Sequence, residues 1–152
     1  MPLWIPPLIA FLAGSIPFGL LIAKTKGVNI REHGSGNIGA TNVLRVIGKP
    51  YGIGCLILDF LKGFLPSLLA INVFVIAGKN PQFIMDNLNG MANTFPAVDA
   101  WKAQTLVIIV GLAAIMGHNY SPWIGFKGGK GIATSGGVLV ALMPVGVVVL
   151  LA

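Results

Sequence analysis

Gly34-Ser35-Gly36-Asn37-Ile38-Gly39-Ala40-Thr41-Asn42-Val43-Leu44-Arg45 admits two readings, and the choice between them decides the fold. Gly34, Gly36 and Gly39 match G-x-G-x-x-G, and Asp59 lies 20 residues beyond Gly39. That pattern marks a dinucleotide site only where a strand precedes it and a βαβ unit surrounds it. The other reading is a polar, anion-binding loop at a membrane surface. Three glycines let the backbone take positive φ and bring its N–H groups close to a ligand. Ser35, Asn37, Thr41 and Asn42 add short hydrogen-bonding side chains, and Arg45 adds a planar fork of donors suited to phosphate or carboxylate.

The flanks choose the second reading. Upstream, Leu3 to Ala23 is uncharged and 21 residues long, and about 20 residues cross a bilayer core. Downstream, Tyr51 to Ala77 is apolar except for an early Asp59 and Lys62. The stretch therefore joins two membrane spans, and Asp59 sits inside one of them. Composition agrees. The 152 residues are 55% hydrophobic and 9% charged, against about 25% charged in soluble domains. The expected fold is an all-α, polytopic transmembrane bundle with about four helices, forming one domain over residues 1–152.

Pro6, Pro7 and Pro17 predict an irregular first span, kinked near Pro17. Trp4 fits a membrane interface. A third span is expected over Ala103 to Gly117. A fourth begins at Ile132 and runs toward Ala152, with Gly136, Gly137, Pro144 and Gly146 permitting close helix contact. The polar stretch Gly78 to Lys102 reads as an external loop with a short interfacial helix around Phe83 to Met91. Asp59 and Lys62 are three apart, share a helix face, and read as a buried structural pair.

Charge gives the orientation. Of ten Lys and Arg, seven fall in Lys24–Pro50 and Gly117–Thr134, and two, Lys79 and Lys102, in the external loop. The positive-inside rule places the first two segments in the cytoplasm and the N-terminus outside. The net charge of +6 is read as orientation signals and anion contacts, not as a nucleic-acid surface, because the cations do not interleave with aromatics. Cys55 stands alone and cannot form an internal disulfide. No His, Cys or carboxylate cluster has metal-ligand spacing, so neither a metal nor a cofactor is expected.

The second glycine-rich segment runs Gly117-His118-Asn119-Tyr120-Ser121-Pro122-Trp123-Ile124-Gly125-Phe126-Lys127-Gly128-Gly129-Lys130-Gly131-Ile132-Ala133-Thr134. It is no P-loop, since neither Ser nor Thr follows Lys130. Its glycines still free backbone amides beside two lysines where a helix begins, which favours phosphate. Taken singly, it fits a flexible basic turn equally well. Trp123 reads as an interfacial anchor.

Together the two loops are specific. GSGNIGATNVLR, with LDFLKG downstream and GHNYSPW and GFKGGKGIAT in the second loop, resembles the bacterial PlsY family of acyl-phosphate-dependent glycerol-3-phosphate acyltransferases. The likeness extends from GSIPFG at Gly14 past Thr134. It implies an enzyme of the bacterial inner membrane that moves an acyl group from acyl phosphate to the 1-hydroxyl of glycerol 3-phosphate. The products are lysophosphatidic acid and phosphate, and the route is phospholipid synthesis. The family has about seven helices and a further C-terminal motif, so this chain is expected to be C-terminally incomplete. The family lacks the His-x4-Asp motif of other glycerolipid acyltransferases, and neither His33 nor His118 has an Asp five residues on.

Both substrates carry phosphate, and acyl phosphate is already an activated anhydride, so cations matter more than a nucleophile. The resemblance implies catalytic roles for Ser35, Arg45, His118 and Lys130. It implies substrate contacts from Gly34, Gly36, Asn37, Thr41, Asn42, Lys127, Gly128, Gly129, Gly131 and Thr134. Asn37 and Asn42 also shape the loop. Lys127 and Lys130, with the amides of Gly128 and Gly129, are expected to hold one phosphate. The proton acceptor stays open among His118, the substrate phosphate, and a His118 that only hydrogen-bonds the backbone. The implied partners are glycerol 3-phosphate, acyl phosphate and membrane lipids, without nucleic acid; the oligomeric state is left open. Two other classes compete: a small-anion channel or transporter, and an inactive or purely structural membrane fragment. A transporter would break its helices near mid-membrane, whereas an enzyme of this kind keeps its polar loops at one face.

Overall fold

The computed structural model describes residues 1–79 and 86–144. The first apolar run forms two helices. Pro6 and Pro7 sit in the first turn of α1 (Ile5–Gly14), where a missing N–H costs nothing. Pro17 disfavours helix at Ile16, the chain breaks over 15–17, and it resumes as α2 (Phe18–Thr25). A short α3 (Ala40–Val46) precedes α4 (Lys49–Val73), α5 (Ala100–Asn119) and α6 (Ile132–Leu142). Three stretches, Ile5–Thr25, Lys49–Val73 and Ala97–Ile124, are long and apolar enough to cross a membrane. A shorter apolar helix, α6, begins at Ile132, where the fourth span is expected to start, and ends at Leu142; residues past Pro144 lie outside the described residues.

Two boundaries differ from the sequence reading. The second span ends at Val73, not Ala77. Phe74–Ile76 (β1) instead pairs in parallel with Asn93–Phe95 (β2). Val75 and Ile76 are β-branched, and the returning loop supplies a partner strand, so pairing outcompetes another helical turn. The rings of Phe74 and Phe95 meet edge to face at 6.5 Å. In the loop over 78–102, Asp86–Met91 forms a 3₁₀ turn, while residues 83–85 of the expected interfacial helix lie outside the described residues.

Packing is built on small residues. The core is rich in alanine, including Ala10, Ala70, Ala103 and Ala114, while Leu8, Ile9, Ile57 and Leu112 face outward. That inversion of the soluble pattern suits lipid as solvent. α1 lies on α5 and α4 on α6 with backbones in contact. A methyl group on Gly14 would lie 2.1 Å from the Ala114 carbonyl oxygen, and one on Gly137 2.1 Å from that of Phe60. Helices that gain nothing from expelling water associate through such close approach. Gly136 meets nothing within 4 Å, so Gly137 alone of that pair serves the contact.

The break at 15–17 frees carbonyls inside the bundle, and three side chains fill the gap. Lys62 Nζ donates to the Ile16 carbonyl at 2.8 Å, Ser121 Oγ to the Ser15 carbonyl at 2.6 Å, and Trp123 Nε1 to Ser15 Oγ at 2.7 Å. Lys62 also lies 2.8 Å from Asp59 Oδ1, both side chains being buried. The expected pair is present, and its lysine additionally seals the broken helix.

Candidate active site

The first loop is wound around one amide. Asn42 Oδ1 accepts the Ser35 backbone N–H at 2.9 Å, and Asn42 Nδ2 donates to the carbonyls of Asn37 (2.8 Å) and His33 (3.1 Å). Asn42 is 2% exposed, so these bonds are shielded from water. Gly34 and Gly36 take positive φ as expected, at 59° and 69°. Gly39 does not; its φ is −77°, and its N–H donates to Asn37 Oδ1 at 2.8 Å. The Gly36 N–H donates to the His33 carbonyl. The loop amides of Ser35, Gly36 and Gly39 are thus spent on the loop itself, which corrects the picture of an amide cradle. The side chains of Ser35, Asn37, Thr41 and Arg45 line the cavity instead.

The second loop is corrected in the same way. The Gly128 N–H donates to the Asn119 carbonyl (3.0 Å) and the Gly129 N–H to that of His118 (3.1 Å). These amides close the C-terminal end of α5, where carbonyls otherwise lack partners, and are not free for phosphate. The close approach requires glycine. A Cβ at Gly128 would lie 1.9 Å from the His118 carbonyl oxygen, and one at Gly129 2.2 Å from His118 Nε2. Gly128→Ala should therefore unfold or loosen the loop. The expected cost is about 1–3 kcal/mol, read as a lower melting midpoint in detergent micelles. An unchanged midpoint with weakened substrate binding would restore the phosphate role.

The two loops meet at a cavity of about 350 Å³ between α3, α4, α5 and the start of α6. Ser35, Asn37, Thr41, Asn42, Arg45, Asp59, His118, Lys130 and Gly131 line it, and Leu56, Ile132 and Ala133 form an apolar wall. Ser35, Arg45, His118 and Lys130, 95 residues apart in sequence at the extremes, are brought together. Among the described residues neither Arg45 nor Lys130 has a hydrogen-bond or ion-pair partner. His118 is 5% exposed, its Nδ1 lies 3.7 Å from Asp59 Oδ1, and that nitrogen has no hydrogen bond.

Other expected contacts fall elsewhere. Lys127, Gly36 and Gly128 line a second, more open concavity with Arg31, Ser35, Asn37 and Ile38, whereas Lys130 lines the first. Gly34 and Gly129 line neither space. Thr134 is fully buried at the α4–α6 contact, its carbonyl facing Gly63, and also lies outside both. Leu56 was missed by sequence reasoning, which reads an apolar residue in a span as lipid-facing; its exposure to a polar cavity has no local signal. Arg31 was counted only toward topology.

Residues 4–152 match the family model described as glycerol-3-phosphate acyltransferase. The chain belongs to that family. Proteins named glycerol-3-phosphate acyltransferase from Aquifex aeolicus, Myxococcus xanthus and Geobacter metallireducens are 44%, 43% and 45% identical over 137, 138 and 140 residues. The matches cover 90%, 90% and 92% of this chain and 58% of each relative, so the chain spans little more than half their length. Among solved structures, PlsY, an integral membrane glycerol 3-phosphate acyltransferase, matches in its glycerol 3-phosphate form with a TM-score of 0.70 and 42% identity, over 93% of this chain and 58% of that one. Its lysophosphatidic acid form matches with a TM-score of 0.68 and 41% identity, over 93% and 57%. The resemblance read from the two glycine loops is thereby established at the level of family and membrane fold.

Proposed function

We propose that this chain carries the phosphate-binding core of an acyl-phosphate:glycerol-3-phosphate acyltransferase. The observation that supports it is the single cavity in which unpaired Arg45 and Lys130 face Ser35 beside an apolar wall. Two phosphate-bearing substrates, one with an acyl chain, need cations and a sideways apolar exit at the same place. The relatives' names support the glycerol-3-phosphate acyltransferase part of this reading.

In the proposed reaction the 1-hydroxyl oxygen of glycerol 3-phosphate attacks the acyl carbonyl carbon. The new ester C–O bond forms, the bond from that carbon to the phosphate oxygen breaks, and phosphate departs with the electron pair. Arg45 and Lys130 stabilise the charge that grows on the leaving phosphate, and Ser35 donates a hydrogen bond to it. His118 takes the hydroxyl proton; its ring reaches the cavity wall without being tied to the backbone through Nδ1. Leu56, Ile132 and Ala133 receive the first carbons of the chain. No cofactor is required.

The location proposed is the bacterial inner membrane, with the N-terminus and the 78–102 loop outside and both glycine loops cytoplasmic. Single cysteines at Ser35 and Asn93 should be labelled from the inner and outer face respectively; the reverse accessibility overturns that topology. The channel or transporter reading loses its main support, because the carbonyls freed at the helix break are capped by Lys62 and Ser121. The deciding assay is release of inorganic phosphate from acyl phosphate by the full-length protein. Release that depends on added glycerol 3-phosphate, with lysophosphatidic acid formed in equal amount, supports the proposal. Release without that dependence rejects it.

A further inference from the structure

Inside the bundle a carboxylate and an imidazole face each other, and the facing atoms are unused. Asp59 comes from α4 and His118 from the last turn of α5; both are buried, and both line the inner cavity that Arg45 and Lys130 share. His118 Nδ1 lies 3.7 Å from Asp59 Oδ1, and among the described residues neither atom has a hydrogen bond. Buried polar atoms without a partner are rare enough to need a reason. The carboxylate is already held by its own helix. Lys62 Nζ lies 2.8 Å from Oδ1 as an ion pair without hydrogen-bond alignment, and Cys55 Sγ donates to Oδ2 at 3.6 Å. These contacts fix where Oδ1 points and leave it room to accept. The ring is framed from the other side. The His118 carbonyl accepts the Gly129 N–H at 3.1 Å, and a Cβ at Gly129 would lie 2.2 Å from Nε2, so glycine there leaves that nitrogen uncovered.

We propose that Asp59 is the positioning residue of His118: its Oδ1 accepts the Nδ1 proton, which fixes the ring and leaves Nε2 bare. The gap is about half an ångström longer than an N–H···O bond, and such bonds in ligand-free sites tighten when substrate arrives. The partner of one ring nitrogen decides which tautomer the other presents. A bare Nε2 is the form that takes a proton. The substrate's 1-hydroxyl proton passes to the Nε2 lone pair as its oxygen attacks. The imidazolium so formed faces the Asp59 carboxylate, which offsets its charge, and it returns the proton to the departing phosphate. This rests on the acyltransferase reading for its place in a reaction but not for the tautomer. Asp59 thus has a second task beside its pairing with Lys62, and acts through His118.

The test begins with nitrogen-15 NMR of ring-labelled histidine in this chain, in detergent micelles at about pH 8, where an ordinary imidazole is neutral. The chain has two histidines, and His33 is exposed, so His33→Gln leaves the His118 signals alone. They should show the Nδ1–H tautomer. The Nε2–H tautomer, an even mixture or a doubly protonated ring overturns the proposal, and this measurement needs no further variant. Asp59→Leu with Lys62→Met then removes the acceptor without stranding a charge, and the Nδ1–H preference should vanish. Asp59→Asn with Lys62→Met keeps a carbonyl oxygen at the same place and should keep the preference, a rescue that mere packing would not produce. The same tautomer in both double variants overturns the proposal. In the full-length enzyme the leucine variant should lose kcat by about tenfold or more, with the KM for glycerol 3-phosphate little changed and kcat partly restored in the asparagine variant. A changed tautomer with unchanged kcat overturns the positioning role in the reaction. Absence of acyl transfer from the full-length wild type would defeat the acyltransferase reading and leave the tautomer result standing, so the two fail separately.

Discussion

Arg45→Lys in the full-length protein should lose most acyltransferase activity, roughly ten- to a hundredfold, from about 1.5–3 kcal/mol of charge-assisted contact. The argument rests on geometry as well as charge. Arg45 projects from the last turn of α3 into the inner cavity and has no protein partner among the described residues. Arg45 and Lys130 are both exposed, so water solvates them without a ligand, and an arriving phosphate meets two cations that no protein group has to release. Lysine preserves the charge and loses the planar two-pronged contact with phosphate oxygens. Phosphate release dependent on glycerol 3-phosphate measures the effect, with Arg45→Gln as the charge-free control. Full activity in the lysine variant would reduce Arg45 to an orienting charge and remove the first loop from the chemistry.

Lys62→Met should destabilise the fold by about 3–5 kcal/mol, the usual cost of breaking a buried pair by removing one partner. Asp59 would then be left as an uncompensated charge inside the bundle, with His118 Nδ1 at 3.7 Å and Cys55 Sγ at 3.6 Å as its neighbours. The Ile16 carbonyl would lose its donor as well. The double variant Asp59→Asn, Lys62→Met should recover most of the loss, because no charge remains to be solvated. Recovery should stop short by about 1–3 kcal/mol, the cost of leaving the Ile16 carbonyl unsatisfied. Unfolding in mixed micelles reads both variants. A Lys62→Met protein as stable as wild type would mean that water reaches Asp59 and that the pair contributes little.

These two residues also mark how far the sequence could be read. Charge within an apolar run, three residues apart, pointed directly to Asp59–Lys62 as a pair. Nothing in that spacing pointed to the Ile16 carbonyl, which comes from a helix break 46 residues away. The span assignments were legible because bilayer thickness is an external ruler that acts on local composition. The start of α6 at Ile132 and the break beside Pro17 were legible because glycine and proline act on their own backbone.

The glycine loops show the other side. Their sequence announced exposed amides and small side chains, and the amides of Ser35, Gly36, Gly39, Gly128 and Gly129 turned out to be spent. Whether an N–H is free depends on what lies opposite it: the carbonyls of His118 and Asn119 against Gly128 and Gly129, and the Asn42 amide against Ser35. That partner is set by helix packing and cannot be inferred from the loop. The pairing of cations is a second instance. Sequence proximity joined Lys127 to Lys130, but three residues of turn send them into different spaces, each with an arginine from the other loop. Membrane location, the three apolar stretches long enough to span, the two polar loops and the family resemblance follow from residue order, since each depends on local hydropathy or a contiguous motif. The sharing of the cavity, the exclusion of Thr134 from it and the division into two cationic spaces follow from how α4, α5 and α6 pack, because only that packing determines which distant groups face one another.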